Sequence, residues 1–290
     1  MIETAEVTLP NGFWLEGRHH RDARLRSMNG RDEADILEMA GCPPAERTTR
    51  LLTRCLERLG PWSPAREDAV RDLTVGDREA LLLHLRRLTV ADRIECVVTC
   101  PEEDCGELLD LELSVEALTL PPYETAAATY ERPIAAGGDE YRARFRLPTG
   151  RDQEAVVALA ESDPEEAGAE IVRRCVDRVV RDGEDERPVS NWPTAVRDAV
   201  SEAMAELDPQ AELALNVDCA ACGRRLTTFF DAGAFLLREM AAGIDRLFRE
   251  VHLLAYHYHW GESEIMGLSA RKRRRYLRLL VDELSREGRP

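Results

Sequence analysis

Apolar and polar positions alternate along the chain in two registers, and the changes of register mark out its elements. "DRIECVVTC" at 92–100 and "AELALNVDC" at 211–219 carry apolar residues at about every second position, which predicts half-buried strands. "GELLDLELSV" from Gly106 and "GRRLTTFFDA" from Gly223 read as the returning strands of two hairpins. "TRLLTRCLERL" and "AEIVRRCVDRVV" instead space their apolar residues by three and four, as on a helix with one buried face. Asn29 and Thr149 stand where helix N-caps belong, and Asp32 and Asp152 are placed to favour the first turn electrostatically. Met240, Ile244, Leu247, Val251, Leu254 and Tyr258 form a later seam with spacings of four and three. Such a seam packs either within the chain or on a neighbouring subunit. Ser269 is placed to cap a last helix, "ARKRRRYLRLLVDEL", with Tyr276, Leu280 and Leu284 expected to face inward.

These elements recur. "ARLRSMNGRDEADI" from Ala23 aligns with "ARFRLPTGRDQEAV" from Ala143 at an offset of 120 residues, and 11 of the 33 positions from Ala23 to Cys55 are identical. Gly30, Arg31, Asp32, Pro44 and the "RC" ending at Cys55 all have counterparts, at Gly150, Arg151, Asp152, Pro164 and Cys175. The predicted fold is therefore α+β: two pseudo-repeated lobes, each of helices plus a β-hairpin, followed by a C-terminal helical region. The lobes span residues 1–118 and 141–231, a Pro-, Ala- and Gly-containing linker spans 119–140, and the helical region spans 232–290. "DGEDERPVSNWP" from Asp182 reads as an exposed acidic loop, with Trp192 either a partner contact or a local plug.

Eight cysteines divide by spacing. Cys42, Cys55, Cys96 and Cys175 stand singly among apolar neighbours and read as core. Cys100 with Cys105, and Cys219 with Cys222, close the two predicted hairpins, each pair followed by a glycine (Gly106, Gly223) where a knuckle commonly needs positive φ. Two thiols do not close a tetrahedral site, so the repeat makes each pair half of one. Four thiolates satisfy zinc completely and leave no position for water. A degenerate site that has lost its metal and a redox dithiol are the alternatives. The dithiol fits less well, because a strand follows each pair where a thioredoxin-like motif opens a helix. The Cys-x4-Cys spacing of the first pair is the less typical half.

Charge and motifs then narrow the function. A formal net charge of −16 argues against a surface made to neutralise phosphates, and no apolar run is long enough for a membrane span. The start of the chain lacks the basic-then-apolar layout of a signal peptide, so a cytoplasmic protein is expected. There is no Gly-rich phosphate loop, no G-x-S-x-G and no His–carboxylate constellation, so no enzyme and no small-molecule substrate are expected. His257 and His259 point to different helix faces and read as packing or capping groups.

The repeated "TGRDQE" helix and "C-x-x-C-G" knuckle, over roughly residues 1–235, resemble the baseplate hub proteins and hub-assembly chaperones of T-even-like contractile phage tails and of extracellular contractile injection systems. "LFREVHLLAYHYHWGESEIMGLSARKRRRYL" is similar to small tail-assembly proteins of such particles. The resemblance implies a non-enzymatic structural or assembly role in a baseplate, with other baseplate or tail proteins as partners and incorporation into a phage-tail-like particle. It also implies zinc ligands at Cys100, Cys105, Cys219 and Cys222. The tail-assembly motif falls on Tyr258, His259, Trp260, Glu264, Ile265 and Met266, which become candidate partner-binding residues. The competing reading is a zinc-ribbon adaptor for protein or nucleic acid, using Arg224 and Arg225. A permanent subunit and a chaperone that leaves before maturation fit the sequence equally.

Overall fold

The computed structural model describes residues 3–181 and 192–287. Strands β1 (Thr4–Leu15), β2 (Arg18–Arg26) and β3 (Leu56–Leu59) form an antiparallel sheet in that order. Helices α1 (Gly30–Glu38) and α2 (Pro44–Cys55) lie between β2 and β3, and α3 (Glu67–Arg71) and α4 (Val75–Thr89) follow. The hairpin β4 (Arg93–Thr99) and β5 (Leu108–Ser114) and the short α5 (Val115–Leu118) end the first lobe.

The second lobe opens with β6 (Tyr130–Ala136) and β7 (Asp139–Phe145), and then α6 (Gly150–Ala155), α7 (Val157–Ser162) and α8 (Pro164–Cys175) lead into β8 (Val176–Arg181). Its sheet order is β6-β7-β8. One helix, α9 (Thr194–Leu207), then precedes the hairpin β9 (Leu213–Asp218) and β10 (Arg225–Phe230). Thus β6 occupies part of the stretch 119–140 read as a linker. Its Tyr130, Ile134 and Ala136 are buried in the second core, so that stretch is half sheet.

The lobes share a local irregularity that the sequence disguised. Helices α2 and α8 stop at Cys55 and Cys175, and the next residues, Leu56 and Val176, are already extended. The helical reading of "CLERL" and "CVDRVV" therefore ran too far. In β3 the bulge sits opposite Arg24/Leu25, and in β8 opposite Arg144/Phe145. A bulged strand lets residues three apart face one core, so Leu56 with Leu59 and Val176 with Val179 imitate helical spacing.

Each lobe has its own core. The first collects Val7, Leu9, Leu25, Leu52, Leu81 and Leu85 with Leu236 and Leu237 of α10 (Ala232–Ala242), so the first helix after the second hairpin belongs to the first core. The second core centres on Phe145, Val179, Val196 and Val200, with Trp192 packed on its edge as a local plug. The rest of the loop from Asp182 lies outside the described residues.

The C-terminal helices α11 (Ile244–Tyr258), α12 (Glu262–Met266) and α13 (Ala270–Glu287) make a third core around Leu247, Val251, Leu254, Ile265 and Met266. The seam from Ile244 to Tyr258 is therefore spent inside the chain. The inward orientation expected for the last helix holds for Tyr276, but Leu284 is exposed and Leu280 only half-buried. Helix α13 runs on past the core it starts from.

Candidate metal centre

The two hairpins lie face to face, because each turns one row of alternating apolar side chains toward the other. Val98 and Leu109 of the first meet Val217 and Leu226 of the second, beneath Cys100, Cys105 and Cys219. At the tips, the Cys100 N–H donates to the Glu107 carbonyl and the Cys219 N–H to the Arg224 carbonyl, each at 2.8 Å. The two knuckles thus close in the same way despite their unequal lengths. The extra residues of the first are taken up by a small turn in which the N–H groups of Cys105 and Gly106 both donate to the Glu102 carbonyl. Gly106 (φ 58°) and Gly223 (φ 73°) adopt the left-handed conformation that the knuckle requires.

The four ligand sulfurs lie within 4.8 Å of one another. Cys100 Sγ is 3.8 Å from Cys222 Sγ, and Cys105 Sγ is 3.7 Å from Cys219 Sγ. A tetrahedron with zinc–sulfur bonds of about 2.3 Å has edges of about 3.8 Å, so these separations are those of a metal-sized cage. They are far longer than the roughly 2.0 Å of a disulfide, and all four thiols are free. Cys100 and Cys219 are buried, Cys105 is half-buried and Cys222 is exposed.

Local dipoles prepare the cluster unevenly. The Cys222 backbone N–H, helped by that of Ala221, pulls the Cys219 thiol down to about 7. The Glu102 backbone N–H also favours a Cys100 thiolate, but burial and hydrogen bonds among the thiols outweigh it and push Cys100 up to about 12. Cys105 is also raised. Thiols this close titrate as a coupled group in separate steps, each thiolate holding back the next, and a divalent cation is what makes the fully deprotonated set favourable. The donor set fits zinc. When bound, zinc would supply structural cross-linking, with all four positions taken by protein.

Sequence reading missed the charge clasp over the knuckles, in which Arg224 reaches Glu102 at 3.0 Å across the two copies. Arg225 lies 3.9 Å from Asp218, so both arginines read as nucleic-acid contacts face carboxylates of this chain. It also missed a buried junction between the lobes. Asp77 of α4 accepts from the backbone N–H groups of Asn11 and Gly12, and Asp208, after α9, accepts from Gly76 N–H and the Tyr123 hydroxyl. Burial, then the nearby Asp208 charge, pushes Asp77 up to about 7. No local pattern announces contacts that span 65 to 132 residues.

The C-terminal candidates fall in three settings. Ile265 and Met266 are buried in the third core, and Tyr258 and Trp260 stack on each other at 5.0 Å and meet Tyr276 edge to face. The Glu264 carboxylate accepts from Gly261 N–H and so starts α12. His259 is exposed and ends α11 in a left-handed conformation (φ 55°).

Two α+β lobes thus meet at hairpins whose tips bring four thiols together in one metal-sized cluster. The chain belongs to the family described as T4 bacteriophage base plate protein, whose model matches residues 16–237. That range takes in the second lobe, the first lobe from the end of β1 onward, both knuckles and the first half of α10. No curated protein and no solved structure matches the chain. Among the described residues, no helix is long and apolar enough to cross a membrane.

Proposed function

We propose that this chain is a non-enzymatic structural or assembly component of the base plate of a phage-tail-like contractile injection system, with zinc held by Cys100, Cys105, Cys219 and Cys222. The family match carries the base plate role, and the metal-sized cage of four thiols carries the zinc. The knuckles come from different lobes, so the metal fixes the lobes as a pair. Other base plate or tail proteins of the same particle are the partners. Within the tail-assembly-like motif, His259 and the edges of Tyr258 and Trp260 form the partner-facing part, while Ile265 and Met266 support it from the core and Glu264 fixes the start of α12.

Deleting the gene and counting assembled particles by electron microscopy tests the role. Loss of base plates is expected, and particles fully assembled and active without the protein would count decisively against it. Mass spectrometry of mature particles then separates a permanent subunit, which is retained, from an assembly chaperone, which is absent.

A further inference from the structure

Helix α13 begins as α4 does. Leu73-Thr74 and Arg78 at the start of α4 correspond to Leu268-Ser269 and Arg273 at the start of α13, and each long helix follows a short one, α3 or α12. Each also docks on the start of a repeat helix in the same way. The Gly150 N–H donates to the Leu73 carbonyl and the Gly30 N–H to the Leu268 carbonyl, both at 3.2 Å. Thr74 bridges Thr149, and Ser269 bridges Asn29. The buried guanidinium of each helix lies against the glycine: a Cβ on Gly150 would come 2.1 Å from Arg78 Nη1, and one on Gly30 would come 3.1 Å from Arg273 Nη1.

Beyond that shared start the two helices differ in cover. On α4, Leu82, Leu85 and Arg86 are 1%, 0% and 4% exposed. Helix α10 covers part of this face: Gly233 approaches Leu82, and Glu239 holds Arg86 through two hydrogen bonds of 2.9 and 3.0 Å. The corresponding positions on α13 are Leu277, Leu280 and Val281, with Leu284 one turn further on. Helical spacing puts these four on the face that Ala270 and Arg273 bury at the docked end. Yet Val281 is 61% and Leu284 45% exposed. Along one flank of this seam stand Arg274, whose nearest carboxylate is Glu250 at 3.8 Å, and Arg278, which has no carboxylate partner among the described residues.

We propose that the open seam Leu280, Val281 and Leu284, which continues from Leu277 at the edge of the third core, is covered in the particle by an amphipathic helix of a neighbouring base plate protein, packed as α10 packs on α4. Carboxylates of that helix face Arg274 and Arg278, as Glu239 faces Arg86. The charge of the flank selects an acidic partner helix, and the seam supplies the apolar contact. This inference rests on the base plate reading.

The test is complementation of a deletion strain with the wild-type chain, with a Val281→Glu/Leu284→Glu double variant, and with Leu279→Glu. Leu279 is just as exposed but lies on the opposite face of α13. Circular dichroism and metal content are expected to be unchanged in both variants. The double variant should lower the number of assembled particles about tenfold or more, with Leu279→Glu at the wild-type level. Wild-type particle numbers with the double variant, or equal damage from Leu279→Glu, overturn the proposal. So does sedimentation showing that the wild-type chain self-associates through this seam and the double variant does not, since the occupant would then be a second copy. A deletion without effect ends the base plate reading itself, and that arm is read before any variant.

Discussion

Asp32 and Asp152 show how much one side chain can carry in this protein. Each is 1% exposed, closes a capping box at the start of its helix, and is held by two arginines, Arg26 with Arg54 and Arg146 with Arg174. Burial alone would raise the Asp152 carboxyl, but the Arg146 guanidinium and the Thr149 N–H hold it down at about 2. Its ionised form is therefore favoured by folding. The contribution is fully present above the ordinary carboxylate range near pH 4 and is lost as pH falls from about 4 to 2, amounting to about 2 kcal/mol. Asp152→Asn strands two arginines beside a helix start, and the expected cost is about 3 kcal/mol. Urea unfolding of both proteins at pH 6 and pH 3 checks this: the difference in stability should shrink at the lower pH. An equal difference at both values would mean that the charge contributes little.

At the scale of elements, the junction between the lobes depends on the segment joining them. The Tyr123 hydroxyl donates to Asp208 at 2.8 Å and accepts from the Gln210 N–H at 3.0 Å, tying that segment to the turn after α9. Tyr123→Phe leaves a buried carboxylate and an N–H without this partner, with an expected loss of about 1–3 kcal/mol. Thermal unfolding measures it, and a change below about 0.5 kcal/mol would show that water replaces the hydroxyl without cost. Elements of this molecule were legible where the physics is local. The knuckle hairpins followed from alternation, the capped helix starts from Asn29 and Thr149, and the pairing of the knuckles from the repeat. Elements were misread where tertiary packing sets the pattern. The bulges opposite Arg24 and Arg144 made strands look helical, and β6 lay in a stretch whose Pro, Ala and Gly content resembles a linker. The open end of α13 has the same apolar spacing as a buried helix, and only the fold shows that nothing in the described chain covers it.

Across the whole molecule, the thiol cluster sits where the two repeats meet, so its loss should be felt by both lobes. A structural zinc site contributes roughly 10 kcal/mol in small peptide hosts. In this larger chain, whose lobes have their own cores, a strong chelator is expected to lower the unfolding midpoint and separate the hairpins without unfolding either sheet. Cys219→Ser should do the same, because it removes a buried thiol whose ionised form the Cys222 and Ala221 N–H groups favour. Amide hydrogen exchange would place the added protection loss in β4, β5, β9 and β10; protection lost evenly over the chain would argue that the cluster stabilises no particular junction.

The most direct measurement is native mass spectrometry of the freshly purified full-length protein, combined with thiol titration before and after chelation. The account predicts one zinc per chain, with Cys100, Cys105, Cys219 and Cys222 protected until the metal is removed and all four released together. Zinc well below one equivalent, with those four thiols reacting freely from the start, would contradict it.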